Sequence, residues 1–109
     1  MTLRPPAASS SSRASRIVAL DYEIAQEQAS ALGRLGRALE AALAALSEYD
    51  RTDTERGAVR ARLVQRASDA LWRFIVQREA IGMRDPRPVM RHYRVPAEVQ
   101  NRMGMLGSP

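Results

Sequence analysis

From Ile17 to Tyr49 the chain carries apolar residues at helical spacing and no proline, and this run dictates most of what the sequence can build. At about 100° per residue, Ile17, Leu20, Ile24, Ala31, Leu32, Leu35, Leu39, Ala42, Leu43, Leu46 and Tyr49 share one side of a helix. Glu23, Glu27, Arg34, Arg37 and Glu48 fall on the other side. Two polar residues, Asp21 and Gln28, interrupt the apolar stripe. A helix of this length needs partners along its stripe, so the rest of the chain must supply them or a second chain must.

Composition agrees with helices packed through small side chains. Aromatics make up 5% of the 109 residues, and alanine and leucine carry most of the apolar content. A chain of this size buries little surface as two helices alone, so a third element or a second subunit is expected. There is no cysteine, which excludes disulfides, thiolate metal sites and cysteine nucleophiles. Every basic residue is arginine, the mark of a GC-rich coding sequence and hence of a bacterial source.

The net charge of +5 is unevenly spread. Residues 1–16 hold three arginines and no acid, and residues 17–50 hold two arginines against six acids. Residues 51–83 hold seven arginines against four acids, and residues 84–109 five against two. An acidic first helix beside a basic second one implies internal complementation, which weakens a nucleic-acid reading. No segment reaches the roughly 18–20 apolar residues needed to span a bilayer, and no secretory signal core is present. The expected setting is cytoplasmic. In a eukaryotic chain, residues 1–20 would pass for a transit peptide, but a disordered tail is the preferred reading.

Taken in order, residues 1–16, with Pro5-Pro6 and the serine run 9–12, are expected to be a disordered tail. Ser15 is a candidate N-cap for the first helix. Residues 49–53 are expected to turn, with Thr52 and Glu55 forming a capping box for a second helix from about Asp53 to Gly82. Its main apolar side is Val59, Leu63, Ala67, Ala70, Leu71, Phe74 and Ile81. A short loop makes the two helices an antiparallel hairpin. Asp85-Pro86 reads as an N-cap and first helical residue of a short helix to about Tyr93, and Pro96 to Met103 as a last one before Gly104. The single domain is then 17–104, with 105–109 frayed.

Two features point to contacts beyond the hairpin. Ala25, Ala29, Gly33 and Gly36 form a small-residue flank on the first helix, where another helix can approach closely. Trp72 and Val76 point away from the second helix's main apolar side, with Ile75 between the two faces. Ala29, Gly33, Gly36, Trp72, Ile75 and Val76 are therefore the candidate interface residues. The C-terminal segment or a second subunit would cover them.

Chemistry-bearing patterns are sparse. Gly33-Arg34-Leu35-Gly36 has the spacing of an RNA-clamping GxxG loop, but the strands that accompany such loops are missing, so two glycines in an amphipathic helix is the simpler reading. His92 is the single histidine, so no strong zinc spacing exists, and it has no evident nucleophile to serve. No cofactor is implied. Arg78, Glu79, Asp85, His92 and Tyr93 would be the residues to inspect in an enzyme. Arg62, Arg66, Arg73, Arg84, Arg87, Arg91 and Arg94 could contact phosphates, or simply form a solvated face. With a turn centred at residue 51 or 52, facing positions total about 103. Arg78 then comes level with Ala25, so a structural ion pair with Asp21, with Gln28 beside it, is expected in the helix interface.

The segments 21–27 (Asp21-Tyr22-Glu23-Ile24-Ala25-Gln26-Glu27), Leu71-Trp72, Val76-Gln77-Arg78-Glu79, Arg84-Asp85 and Tyr93-Arg94-Val95-Pro96-Ala97-Glu98-Val99 resemble a family of short, uncharacterised alphaproteobacterial proteins, a domain of unknown function. The resemblance covers about residues 17–104. It implies a bacterial, cytoplasmic protein and brings no activity, cofactor or catalytic residue. The sequence thus predicts an all-α fold, a long antiparallel hairpin with short C-terminal helices, dimerising into a four-helix bundle with coiled-coil character. The expected role is a non-enzymatic interaction or scaffold protein acting as a homodimer. An arginine-rich nucleic-acid-binding accessory protein is the alternative.

Overall fold

The structure of the chain is a computed structural model that describes residues 5–53 and 55–106, with side chains described at 12–53 and 55–104. Among the described residues there are four helices and no strand: α1 (Pro5–Thr52), α2 (Ala58–Ala80), α3 (Arg87–His92) and α4 (Ala97–Leu106). None of the described helices is long and apolar enough to cross a membrane. The chain divides into two compact units, Met1–Ser30 and Ala31–Pro109.

Both ends of α1 differ from expectation. The helix opens at Pro5 rather than Ile17, so the segment expected as a disordered tail is helical from that point; residues 1–4 lie outside the described ones. Pro5 and Pro6 are tolerated because they fall in the first turn, where backbone N–H groups lack helical partners anyway. At the other end, Thr52 continues the helix. Its hydroxyl donates back to the Glu48 carbonyl at 2.9 Å, so it does not cap α2 and the expected capping box is not formed. The link is 53–57, where Asp53 Oδ1 accepts the Glu55 N–H at 2.9 Å and Gly57 is the N-cap of α2.

This later turn resets the register between α1 and α2. A Cβ built on Gly36 would sit 3.4 Å from Phe74 Cε1, and Asp50 bonds Arg60. In both pairs the residue numbers total 110, not about 103. Arg78 therefore comes level with Leu32, seven residues beyond the row assumed for its pairing with Asp21 and Gln28.

In the unit 31–109, Leu39, Ala42 and Leu46 of α1 enter one core with Val64, Ala67, Ala70, Leu71, Phe74 and Ile75 of α2. Val89 of α3, Val95 and Val99 of α4 complete it. The α1 and α2 residues recur three, four and seven apart, so each helix buries a single stripe. Close approach of α4 to α2 depends on a small side chain. Ser68 is fully buried, with Oγ 2.9 Å from the Val64 carbonyl and 3.3 Å from that of Val99. A larger residue there would hold α4 off.

Two helix ends share one hydrogen-bond design. At the end of α2, Gly82 N–H reaches the Glu79 carbonyl and Met83 N–H the Arg78 carbonyl, with Gly82 at φ +93°. At the end of α3, Arg94 N–H reaches Arg91 and Val95 N–H reaches Met90, with Arg94 at φ 51°. Both are Schellman caps, but the second places a side chain in the left-handed region that favours glycine. The α3 helix itself opens one residue later than expected. Pro86 is its N-cap, and Asp85 Oδ1 holds the Arg87 N–H at 3.0 Å. The helix α4 continues through Gly104 to Leu106, past the expected stop; residues 107–109 of the expected frayed end lie outside the described ones.

The left-handed positions give a paired stability prediction. Gly82→Ala should lower stability by about 1–2 kcal/mol, and Arg94→Gly should raise it by up to about 1 kcal/mol, both read from urea melts of the full chain. Two changes of the same sign, or both signs reversed, would show that the caps are not strained as described.

Candidate functional site

The most connected polar group is Arg60, at the start of α2. Its Nε donates to Asp50 Oδ1 at 2.8 Å and its Nη2 to Asp50 Oδ2 at 3.1 Å. Its Nη1 and Nη2 each donate to a Glu98 oxygen at 2.8 Å. One planar guanidinium thereby serves two carboxylates in fork geometry, a match that lysine cannot provide. Arg60 is 8% exposed, and the three residues come from the last turn of α1, the first turn of α2 and the first turn of α4.

Each helix dipole explains part of this arrangement. An acid in the last turn of α1 and a cation in the first turn of α2 are both disfavoured by the macrodipoles, and pairing them removes both penalties. Glu98, in the first turn of α4, is favoured by its own dipole. The hydrogen bonds from Arg60 hold the Asp50 and Glu98 carboxyls below their ordinary values and push the Arg60 guanidinium further up, chiefly through the bonds to Glu98 and then Asp50. This triad is a structural clamp that joins the ends of three helices.

Sequence reasoning missed it, although a signal was present. Arg60 stands four residues before Val64 and seven before Ala67, which places it on the buried stripe of α2, as an arginine at a core position. The residue singled out instead, Arg78, is half-buried and donates from Nη2 to the Asp85 carbonyl at 3.0 Å, while its buried Nε has no partner. It braces the turn after α2. Asp21 and Gln28 are exposed residues of the unit Met1–Ser30. The premise that aligned them with Arg78 fails with the register.

The candidate interface residues separate into two groups. Gly36 and Ile75 belong to the chain's own core: a Cβ on Gly36 would lie 2.8 Å from Tyr93 Oη, and Ile75 is 9% exposed. The small flank of α1 does receive a close neighbour at Gly36, but the neighbours are Tyr93 and Phe74, whose rings meet edge to face at 5.7 Å. A Cβ on Gly33 would meet the side chain of Arg37 at 3.4 Å. Trp72 and Val76 remain open to solvent, as does Ala29.

The candidate phosphate-contacting arginines, Arg62, Arg66, Arg73, Arg84, Arg87, Arg91 and Arg94, are all exposed. Arg87 is engaged by Asp85 at 3.0 Å, which holds that carboxyl down at about 2 through the side-chain and then the backbone bond from Arg87. His92 is exposed and packs edge to face on Tyr93 at 4.8 Å. Among the described residues no group of three or more His, Asp or Glu is placed to hold a metal ion.

Apolar exposure is concentrated elsewhere. In the unit Met1–Ser30, every residue described from Ser12 onward is exposed, including Ile17, Val18, Leu20, Tyr22 and Ile24. Of these, Ile17, Leu20 and Ile24 share one face of the helix, and Val18 and Tyr22 another.

A family model described as "Family of unknown function (DUF6665)" matches residues 6–109. The chain belongs to this family. Neither a curated protein nor a solved structure matches it.

The clamp has a defined acid response. Because the folded-state pKa values of Asp50 and Glu98 are depressed, their stabilisation is present above the ordinary values of 3.8 and 4.5 and is lost as pH falls through the lowered ones. Stability of the chain should drop more steeply below pH 4.5 than that of Asp50→Asn/Glu98→Gln. At neutral pH, Arg60→Ala should lower Tm far more than Arg51→Ala, since Arg51 and its partner Glu48 are exposed. Equal Tm shifts would remove the clamp.

Proposed function

We propose that this chain is a non-enzymatic helical interaction protein that works as a homodimer. The observation that supports this reading is the uncovered stripe at the start of α1, where Ile17, Leu20 and Ile24 are 55%, 55% and 48% exposed. Helical spacing places these residues on one face, and an apolar helix face is normally covered. Trp72 and Val76 offer a second, smaller apolar patch on α2. A bacterial source fits the lysine-free, arginine-rich composition, and we place the protein in the cytoplasm on its resemblance to short alphaproteobacterial proteins.

Light scattering on the full chain should give twice the mass of 12.1 kDa at micromolar concentration. Ile24→Asp should shift the chain toward monomer without changing its helical circular dichroism. A wild-type chain that stays monomeric would overturn the homodimer.

The exposed arginines of α2 and the 84–94 segment support a second reading, an accessory protein that contacts nucleic acid. Binding to random duplex DNA should then fall steeply with salt, and Arg62→Ala/Arg66→Ala should reduce both affinity and the salt slope. No binding at low salt would remove this reading.

A further inference from the structure

We propose that the partner seated on the first half of α1 is the same segment of a second copy, running antiparallel to it. This rests on the homodimer reading and adds its surface and direction. Residues 12–30 form a helical stretch whose described side chains are all exposed, and its stripe of Ile17, Leu20 and Ile24 runs over two turns of the helix.

Charge decides the direction. At about 100° per residue, Arg16, Glu23 and Glu27 fall on one flank of the stripe, whereas Ala14, Val18, Ala25 and Ala29 fall on the other. Facing antiparallel helices bring like flanks together; facing parallel helices bring unlike flanks together. An antiparallel pair with Ile17 level with the second copy's Ile24 sets Arg16 within a turn of that copy's Glu23 and Glu27, and the reverse pairing repeats by symmetry. A parallel pair would set those charges against alanine and valine.

The same register places Arg13, at the outer end of the stripe, level with the second copy's Gln28, which gives that polar interruption a partner. Leu20 lies at the two-fold axis. Asp21 comes near its own copy there, a like-charge contact that limits the affinity of the seam.

The chain has no cysteine, so single cysteines report the arrangement without interference. Arg13 and Gln28 are exposed and lie at the edge of the stripe. In the antiparallel pair Arg13 of one copy lies across from Gln28 of the other, within reach of a disulfide, while like positions are about 22 Å apart at 1.5 Å per residue. Mixing full-length Arg13→Cys and Gln28→Cys chains under mild oxidation should give the mixed disulfide in excess of either homodisulfide. Homodisulfides in excess would show a parallel pair and overturn the proposal. No disulfide in a sample that light scattering finds dimeric would place the interface elsewhere, Trp72 and Val76 being the next patch, and would overturn the proposal while leaving the homodimer standing. A monomeric sample would overturn both.

A charge exchange gives an independent check. Arg16→Glu alone and Glu23→Arg/Glu27→Arg alone should each weaken self-association, and an equimolar mixture should restore a heterodimer. Failure of the mixture to associate more tightly than either variant would remove the flank pairing.

Discussion

Arg60 holds the C-terminal unit together at the point where helix propensity gives least help. Its guanidinium spans Asp50 and Glu98, and through them the end of α1 and the starts of α2 and α4. Removing Arg60 unpairs both carboxylates at once, whereas removing either acid leaves the buried guanidinium with one carboxylate, so the clamp hinges on the arginine. Its location matters as much as its strength. The described residues of the link 53–57 and those next to it are exposed. The clamp fixes which residues of α1 and α2 meet where the loop cannot.

Register then determines which residues meet. With the turn at 53–57, Gly36 falls opposite Phe74, and the missing Cβ leaves room for the Tyr93 hydroxyl as well. The T-shaped contact of Phe74 with Tyr93 ties the segment after α3 to this point. Ser68 plays the corresponding role between α2 and α4. Small residues therefore mark the close approaches in this core, and larger apolar ones fill the spaces between.

Much of this was legible in the residues. The all-α class, the two long helices, the short C-terminal helices and the core of Leu39, Ala42, Leu46, Leu71 and Phe74 follow from spacing alone. Gly36 was visible as a place of close approach, though not as a contact within the chain. The clamp was missed because an arginine on an apolar stripe was not read as buried, and its acids lie 10 and 38 residues away. The row assumed for Arg78 shifted for a simpler reason. A threonine that back-bonds to its own helix moved the turn, and every facing pair moved with it.

The sequence by itself determined the central stretch of each helix and which face of it is apolar, because those properties come from local spacing, while the helix ends departed from what proline, glycine and serine punctuation suggested. Only the tertiary structure decided where α1 ends, which residues of α2 oppose it and which charge is shared among three helices. The end of α1 turns on how Thr52 uses its hydroxyl, the other two on contacts between distant residues, and a displacement of a few residues in one loop changes all of them. The structure also decided which part of the apolar stripe is buried by the chain itself. Leu39, Ala42 and Leu46 find partners in α2 and the segments after it, whereas Ile17, Leu20 and Ile24 carry the same pattern and remain exposed. Periodicity records that a helix face seeks cover, but the cover itself is a property of the assembled chain.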